Sequence, residues 1–171
     1  GGGTRAGAGK PKQVRLISGE PVLRRSLRLF TDNHEVGAVQ AVIRHEDVAD
    51  YERASLGLPK CLPAVPGGKT RQASVLAGLE GLVRTAPRFV LVHDAARPFT
   101  DAALIERTVK AAREYGAAIP AVPVSDTINR VDREGRILSN VERSELRAVQ
   151  TPQAFDFEKL LIAHRRASVA G

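Results

Sequence analysis

Four short apolar runs, Ala38–Ile43, Cys61–Val65, Phe89–Val92 and Ala117–Val124, are separated by segments whose apolar residues recur at helical spacing. This alternation constrains the fold more than any other feature. Strands joined through helices need long crossovers, and crossovers build a parallel sheet covered on both faces. Val22, Leu23, Ser26, Leu27 and Phe30 predict a helix over Pro21–Phe30. His45–Leu56 reads as a second, stopped by Gly57 and Pro59. Val75, Leu76, Leu79, Leu82 and Val83 form one face of a third. Thr100 is placed to cap a fourth, with Leu104, Ile105, Val109 and Ala112 inward and Gly116 after its end. The chain turns helical again from Asp156. The expected fold is α/β and three-layered: a mostly parallel twisted sheet with helices on both faces. Thr127–Val131 and Ile137–Val141 flank Asp132-Arg133-Glu134-Gly135 and predict a hairpin. Its many charges and few core residues make it an arm, about residues 127–147, projecting from the body.

The 171 residues suit one domain, and 43% hydrophobic content supplies a core. No run of eighteen apolar residues occurs, so no membrane span is expected. The single cysteine, Cys61, excludes an intrachain disulfide and a cysteine zinc site, and suits a reducing, cytoplasmic setting. It reads as a small apolar strand residue. The net charge is +7, and residues 1–30 hold seven basic residues against Glu20 alone. The remaining chain is nearly balanced. A charge concentrated this way predicts a localised anion site rather than an extended nucleic-acid footprint.

Four constellations carry candidate chemistry. Gly1-Gly2-Gly3-Thr4-Arg5 is followed by Pro11-Lys12-Gln13. Glycines let backbone N–H groups approach an oxyanion, and Arg5 and Lys12 can reach the same phosphates. No GK[ST] follows, so this is not the Walker pattern, and alone the loop is equally well a solvated turn. Gly67-Gly68-Lys69-Thr70-Arg71-Gln72-Ala73-Ser74 opens a helix, which favours an anion or polar ligand but also suits an ordinary helix start. Val92-His93-Asp94-Ala95-Ala96-Arg97-Pro98 ends an apolar strand, and strand carboxyl ends are where open α/β sheets bind ligands. Asp94 there suits a single Mg2+ ligand beside a phosphate clamp at Arg97, and Ala95 offers a backbone N–H. The alternative is a structural Asp94–Arg97 ion pair, with His93 a hydrogen-bonded neighbour rather than a base. Finally, Pro123-Val124-Ser125-Asp126-Thr127-Ile128, Arg143 and Gln150-Thr151-Pro152-Gln153 offer hydroxyls and a cation for a second anionic substrate, or are strand-end turns.

Together these segments resemble the 2-C-methyl-D-erythritol 4-phosphate cytidylyltransferase family. Gly-x-Gly-x-Arg with Pro-Lys-Gln, Gly-Gly-x-x-Arg-x-x-Ser-Val, Val-His-Asp-Ala-Ala-Arg-Pro, Pro-Val-x-Asp-Thr and Thr-Pro-Gln-x-Phe follow the family's order. The resemblance implies a Rossmann-like nucleotidyltransferase fold. It implies transfer of CMP from CTP to methylerythritol phosphate, with release of pyrophosphate, assisted by Mg2+. By the same resemblance, Gly1, Gly2 and Gly3 wrap the CTP phosphates, and Arg5 and Lys12 are the catalytic basic pair. Gly68, Ser74 and Ala95 bind the nucleotide, with Gly68 and Ser74 at cytosine and ribose. Asp94 is associated with metal and Arg97 with the second substrate. Asp126, Thr127 and Arg143 on the arm hold the substrate of a neighbouring subunit in a homodimer, Arg143 counting with Arg5 and Lys12 among the catalytic residues, and Thr151 sits near the substrate phosphate.

The chain starts inside the glycine loop, whereas the family begins with an apolar strand. The family's later Thr-Asp-Asp and Asn-Ile-Lys segments would fall beyond residue 171. The expectation is a cytidylyltransferase domain over residues 1–171, taken from a longer polypeptide, without its first strand and C-terminal segment. Asn129 replaces the lysine common after Asp-Thr-Ile. Some family members are fused to the cyclodiphosphate synthase of the same pathway. Two rivals remain: another sugar-phosphate or cofactor nucleotidyltransferase, and a basic nucleic-acid-binding domain. With aromatics at only 4%, stacking platforms for the latter are scarce.

Overall fold

The computed structural model describes residue 13 and residues 15–169. Gly1, Gly2, Gly3, Arg5 and Lys12 therefore lie outside the described residues. The chain enters through a small antiparallel pair, β1 (Leu16–Ile17) and β2 (Glu20–Pro21), then helix α1 (Val22–Thr31). Next come β3 (Val42–Ile43), a 3-10 turn at His45–Asp47, α2 (Val48–Ser55) and β4 (Val65–Pro66). Helix α3 (Arg71–Leu82) leads to β5 (Phe89–Val92), and α4 (Ala102–Tyr115) to β6 (Ala117–Ala118) and β7 (Ala121–Pro123). The hairpin is β8 (Ile128–Val131) and β9 (Ile137–Val141). The chain then returns through β10 (Arg147–Val149) and β11 (Gln153–Asp156) to α5 (Phe157–Val169).

The three layers are visible on β5. Val90 packs with Leu79, Leu82, Phe157 and Leu161 of α3 and α5. Leu91, the next residue, packs with Phe30 of α1 and Ile105 and Val109 of α4. Successive strand residues point to opposite faces, so β5 lies between two helical layers. A third cluster joins Leu23 and Leu27 of α1 to Tyr51 and Ala54 of α2, with Val39, Ile43 and Cys61 against it. Ile105 and Ala112 are fully buried, and Ile105→Ala would cost about 2–5 kcal/mol.

Parallel pairing joins β3 to β4 and Val39 to Cys61. Strand β11 is not legible as a strand in the sequence, where the helical pattern resumes at Asp156. It lies between β5 and β6, antiparallel to both. Its four residues run straight into α5, so the apolar pattern has no turn to separate them. The Ala117–Val124 run divides at Ile119–Pro120, and β10, also unforeseen, pairs with β7.

Two helix starts differ from expectation. Asp101, not Thr100, caps α4, its Oδ1 accepting from the Leu104 N–H at 2.6 Å; a carboxylate is among the best N-cap acceptors. The 45–56 segment begins as a 3-10 turn before α2. At the other end of α4, Gly116 takes φ +82° and donates to Ala112 O at 2.8 Å, the left-handed stop expected. Val83, placed on the inner face of α3 by periodicity, is 41% exposed because the helix gives way to a 3-10 turn there. Among the described residues, no helix is long and apolar enough to cross a membrane.

Candidate active site

Four elements converge at the carboxyl end of β5. The strand delivers His93 and Asp94 into a turn closed by the Arg97 N–H on Asp94 O at 2.9 Å. The Arg97 Nε lies 3.3 Å from Asp94 Oδ2, and Arg71, the first residue of α3, lies 3.6 Å from Oδ1. The Asp94–Arg97 ion pair of the structural reading therefore exists, on side chains that are almost half exposed. An exposed pair of this kind contributes little stability and leaves both groups able to exchange partners for a ligand. The Arg97 guanidinium also donates to Gln150 Oε1.

From the opposite side, Thr151 is buried before β11. Its Oγ1 accepts from the Asp94 N–H at 3.3 Å and donates to His93 Nδ1 at 3.0 Å. The other ring nitrogen of His93 lies 3.0 Å from Arg97 O. A carbonyl only accepts, so Nε2 carries the proton and Nδ1 is the acceptor. Burial pushes the His93 pKa below its ordinary value, and its ring stacks at a tilt on Phe30, 4.8 Å between centroids. A neutral imidazole with both nitrogens engaged is a hydrogen-bonded neighbour, as the sequence suggested. Ser26 of α1 completes the surround, donating to Ala95 O at 2.7 Å.

The second constellation is the turn before α3. Thr70 caps the helix, accepting from the Ala73 N–H at 3.0 Å. Ser74 is buried, and its Oγ accepts from the Gly68 N–H at 3.1 Å and lies 3.0 Å from Thr70 O. Gly68 is required by close approach: a Cβ there would stand 2.4 Å from the Cβ of Ala73. The turn and the Asp94 carboxylate are linked through Arg71.

The arm is as exposed as expected. Asp126 and Thr127 stand exposed between β7 and β8, and Arg143 donates to the carbonyl of Ser125, folding its guanidinium back toward them. The strand at the base of the arm, β10, runs directly into Gln150 and Thr151, and Gln150 N–H donates to Pro120 O at 2.8 Å.

One expectation is corrected. The basic excess in residues 1–30 is not all available to an anion. Arg24, Arg25 and Arg28 lie 3.7, 3.3 and 3.1 Å from the Glu20 carboxylate. Arg24 also donates to the carbonyls of Ala54 and Leu56, each at 2.8 Å, and Arg25 to Ile17 O. These three hold α1 to its surroundings. Cys61 is half-buried beside Tyr51; burial pushes its thiol pKa up and that of Tyr51 to about 12, as suits packing residues.

From sequence Ser26 has no site role, and Arg71 and Gln150 enter only as members of their motifs, with no role of their own. Ser26 had one signal, a serine inside the otherwise apolar stripe of α1; for Arg71 and Gln150 the relevant geometry is tertiary.

The 2-C-methyl-D-erythritol 4-phosphate cytidylyltransferase family model matches residues 1–171. The chain is 52% identical over its whole length to the bifunctional enzyme IspD/IspF of Bradyrhizobium sp. strain BTAi1, spanning 43% of that protein. It is 51% identical to the corresponding bifunctional enzyme of Rhodopseudomonas palustris strain HaA2, spanning 42% of it. It thus spans less than half the length of these curated relatives. Among solved structures, the 2-C-methyl-D-erythritol 4-phosphate cytidylyltransferase of Thermus thermophilus superposes with TM-score 0.73 at 37% identity, covering 96% of this chain and 74% of that one. The 4-diphosphocytidyl-2C-methyl-D-erythritol synthase of Anaerococcus prevotii gives TM-score 0.82 at 27% identity, covering 91% and 70%. With the family model matched over its whole length, the chain belongs to the 2-C-methyl-D-erythritol 4-phosphate cytidylyltransferase family.

Proposed function

We propose that the chain transfers CMP from CTP to 2-C-methyl-D-erythritol 4-phosphate, releasing pyrophosphate and forming 4-diphosphocytidyl-2-C-methyl-D-erythritol for isoprenoid precursor synthesis. The observation that carries this reading is the meeting of Asp94, Arg97, Arg71 and Thr151 at one strand end, in a chain matched by the family model throughout.

The chemistry asks for positioning more than for acid or base. A phosphate oxygen of the second substrate attacks the α-phosphorus of CTP in line, and pyrophosphate leaves. The attacking phosphate is already ionised, so a neutral His93 with both nitrogens engaged is no handicap. Two polyanions must be held together and developing charge stabilised. In this reading Arg5 and Lys12 act at the triphosphate, with Gly1, Gly2 and Gly3 wrapping it. Gly68 and Ser74 receive cytosine and ribose, and the Ala95 N–H also faces the nucleotide. Arg97 and Thr151 meet the methylerythritol phosphate, with Asp126, Thr127 and Arg143 of a neighbouring subunit's arm closing over it in a homodimer. A cytoplasmic setting fits the lone, packed Cys61.

A divalent metal fits the donor set. Among the described residues no group of three or more His, Cys, Asp or Glu is placed to hold a metal ion, and Asp94 is a half-exposed carboxylate at the site. Mg2+ is commonly held by one or two carboxylates together with substrate phosphates and water. Asp94 would hold it, after yielding its contacts with Arg71 and Arg97. Bound there, the ion would neutralise phosphate charge.

The test is pyrophosphate release by the full polypeptide carrying this chain. CTP with methylerythritol phosphate should react; release only with GTP or with a sugar phosphate would reject the assignment. Lys12→Ala should keep the fold and lose about 2.7–4 kcal/mol of transition-state stabilisation, a hundredfold or more in rate, by analogy with an oxyanion donor.

A further inference from the structure

Asp94 and Arg97 have little packing of their own, with side chains 45% and 46% exposed. Their placement depends on the backbone of the turn that carries them. That turn is anchored at three points besides its own closing bond. Thr151 holds the Asp94 N–H, the His93 ring holds Arg97 O, and Ser26 holds Ala95 O, in the middle. The first two anchors belong to groups already at the site. The third comes from α1, 69 positions earlier in the chain.

Ser26 is 4% exposed, and its Oγ lies 2.7 Å from Ala95 O and 3.1 Å from Val22 O. A hydroxyl has one proton. A helical serine always has its i−4 carbonyl within reach, and that bond adds little to a helix. The shorter contact, at the usual O–H···O distance, reaches out of the helix to the turn.

We propose that Ser26 is a positioning residue for cytidylyl transfer, fixing the Asp94–Arg97 turn to α1 through the Ala95 carbonyl. The inference rests on the functional reading above. Ser26 touches no substrate. It sets where the carboxylate and guanidinium stand relative to the reacting phosphates, and a displacement of about 1 Å at such a centre can cost a hundredfold in rate.

The test compares Ser26→Ala and Ser26→Thr with wild type in the full polypeptide. In Ser26→Ala, kcat should fall about tenfold to a hundredfold. KM for CTP should rise by a smaller factor than kcat falls, because Gly68 and Ser74 keep their own bonds and only the Ala95 contact with the nucleotide is loosened, so most of the loss falls on the reacting geometry. Hydrogen exchange at the Arg97 amide, which closes the turn, should be at least about tenfold faster, while α1 amides are unchanged, as local opening predicts. Ser26→Thr keeps the hydroxyl and should restore both readouts; it also carries the test where the alanine variant melts globally. A kcat within twofold of wild type in Ser26→Ala, or unchanged exchange at Arg97, overturns the proposal. Failure of the functional reading shows separately, as a wild-type protein that releases no pyrophosphate from CTP and methylerythritol phosphate.

Discussion

Gly68 and Ala73 stand so close that a methyl group on Gly68 would lie 2.4 Å from the Ala73 Cβ, with Ala73 backbone atoms at 3.2 and 3.3 Å behind it. Backbone on the first turn of a capped helix cannot step aside cheaply. Gly68→Ala must shift the loop, which lengthens the bond from the Gly68 N–H to Ser74 Oγ. The strain corresponds to about 1–3 kcal/mol. The expected outcome is a folded protein with a KM for CTP raised at least about tenfold and a smaller effect on kcat. Unchanged CTP affinity by calorimetry would contradict the placement of the nucleotide at this turn.

Asp94→Asn separates function from stability at the strand end. The carboxylate is half exposed and paired with two exposed arginines, and such pairs are worth about 0–1 kcal/mol. The melting temperature should therefore barely move. Turnover should fall about a hundredfold or more, the scale of losing one group aimed at developing charge. A large loss of stability without loss of turnover would show the structural ion pair to be the residue's whole role.

Thr151→Val should lose stability as well as turnover. The side chain keeps its shape and loses its hydroxyl, so the Asp94 N–H and His93 Nδ1 lose their partner where Thr151 is 6% exposed. Unpaired buried groups cost about 1–3 kcal/mol, or roughly 2–12 °C in melting temperature for a domain of this size. Turnover should fall as well, and Thr151→Ser should recover most of both. Thermal melts and steady-state assays on the two variants decide it.

What the sequence made legible, and what it did not, follows from range. The Asp94–Arg97 segment, the Gly68 turn and the hairpin are local, so residue type and spacing reveal them. Ser26 at Ala95 and Arg71 at Asp94 depend on how distant elements pack, and no local pattern encodes them. Strand β11 was hidden for another reason. Its apolar residues continue into α5 without a break, and strand and helix periods cannot be told apart over so few residues. A charge count also does not show which arginines are already engaged: Glu20 is one residue by count yet meets three arginines in space.

The arm carries apolar side chains far into solvent: Val131 is 51% exposed, Ile137 67% and Leu138 62%. Apolar surface clustered on a two-stranded hairpin suits an interface. Ile137→Asp with Leu138→Asp should convert the proposed dimer to a monomer in sedimentation velocity, leave the body folded, and reduce turnover at least about tenfold. A wild-type protein that sediments as a monomer at micromolar concentration would remove the arm from the functional scheme.

Glu80 and Arg165 tie α3 to α5 by two parallel hydrogen bonds of 2.7 Å each, across 85 positions of sequence. The guanidinium bond holds the Glu80 carboxyl below its ordinary value of 4.5, against a smaller opposing effect of desolvation. A carboxyl depressed in the folded state binds its proton more weakly than in the unfolded chain. Its contribution to stability is therefore present above the ordinary value and lost as pH falls through the depressed one. Both side chains are around half exposed, so salt also weakens the pair. Glu80→Gln should melt slightly below wild type at pH 7 in low salt. The gap should narrow as the buffer is taken below the ordinary carboxylate range, and should narrow again at neutral pH when salt is raised. A gap that is constant across pH would mean that packing at this position, rather than the charge pair, docks α5 on α3.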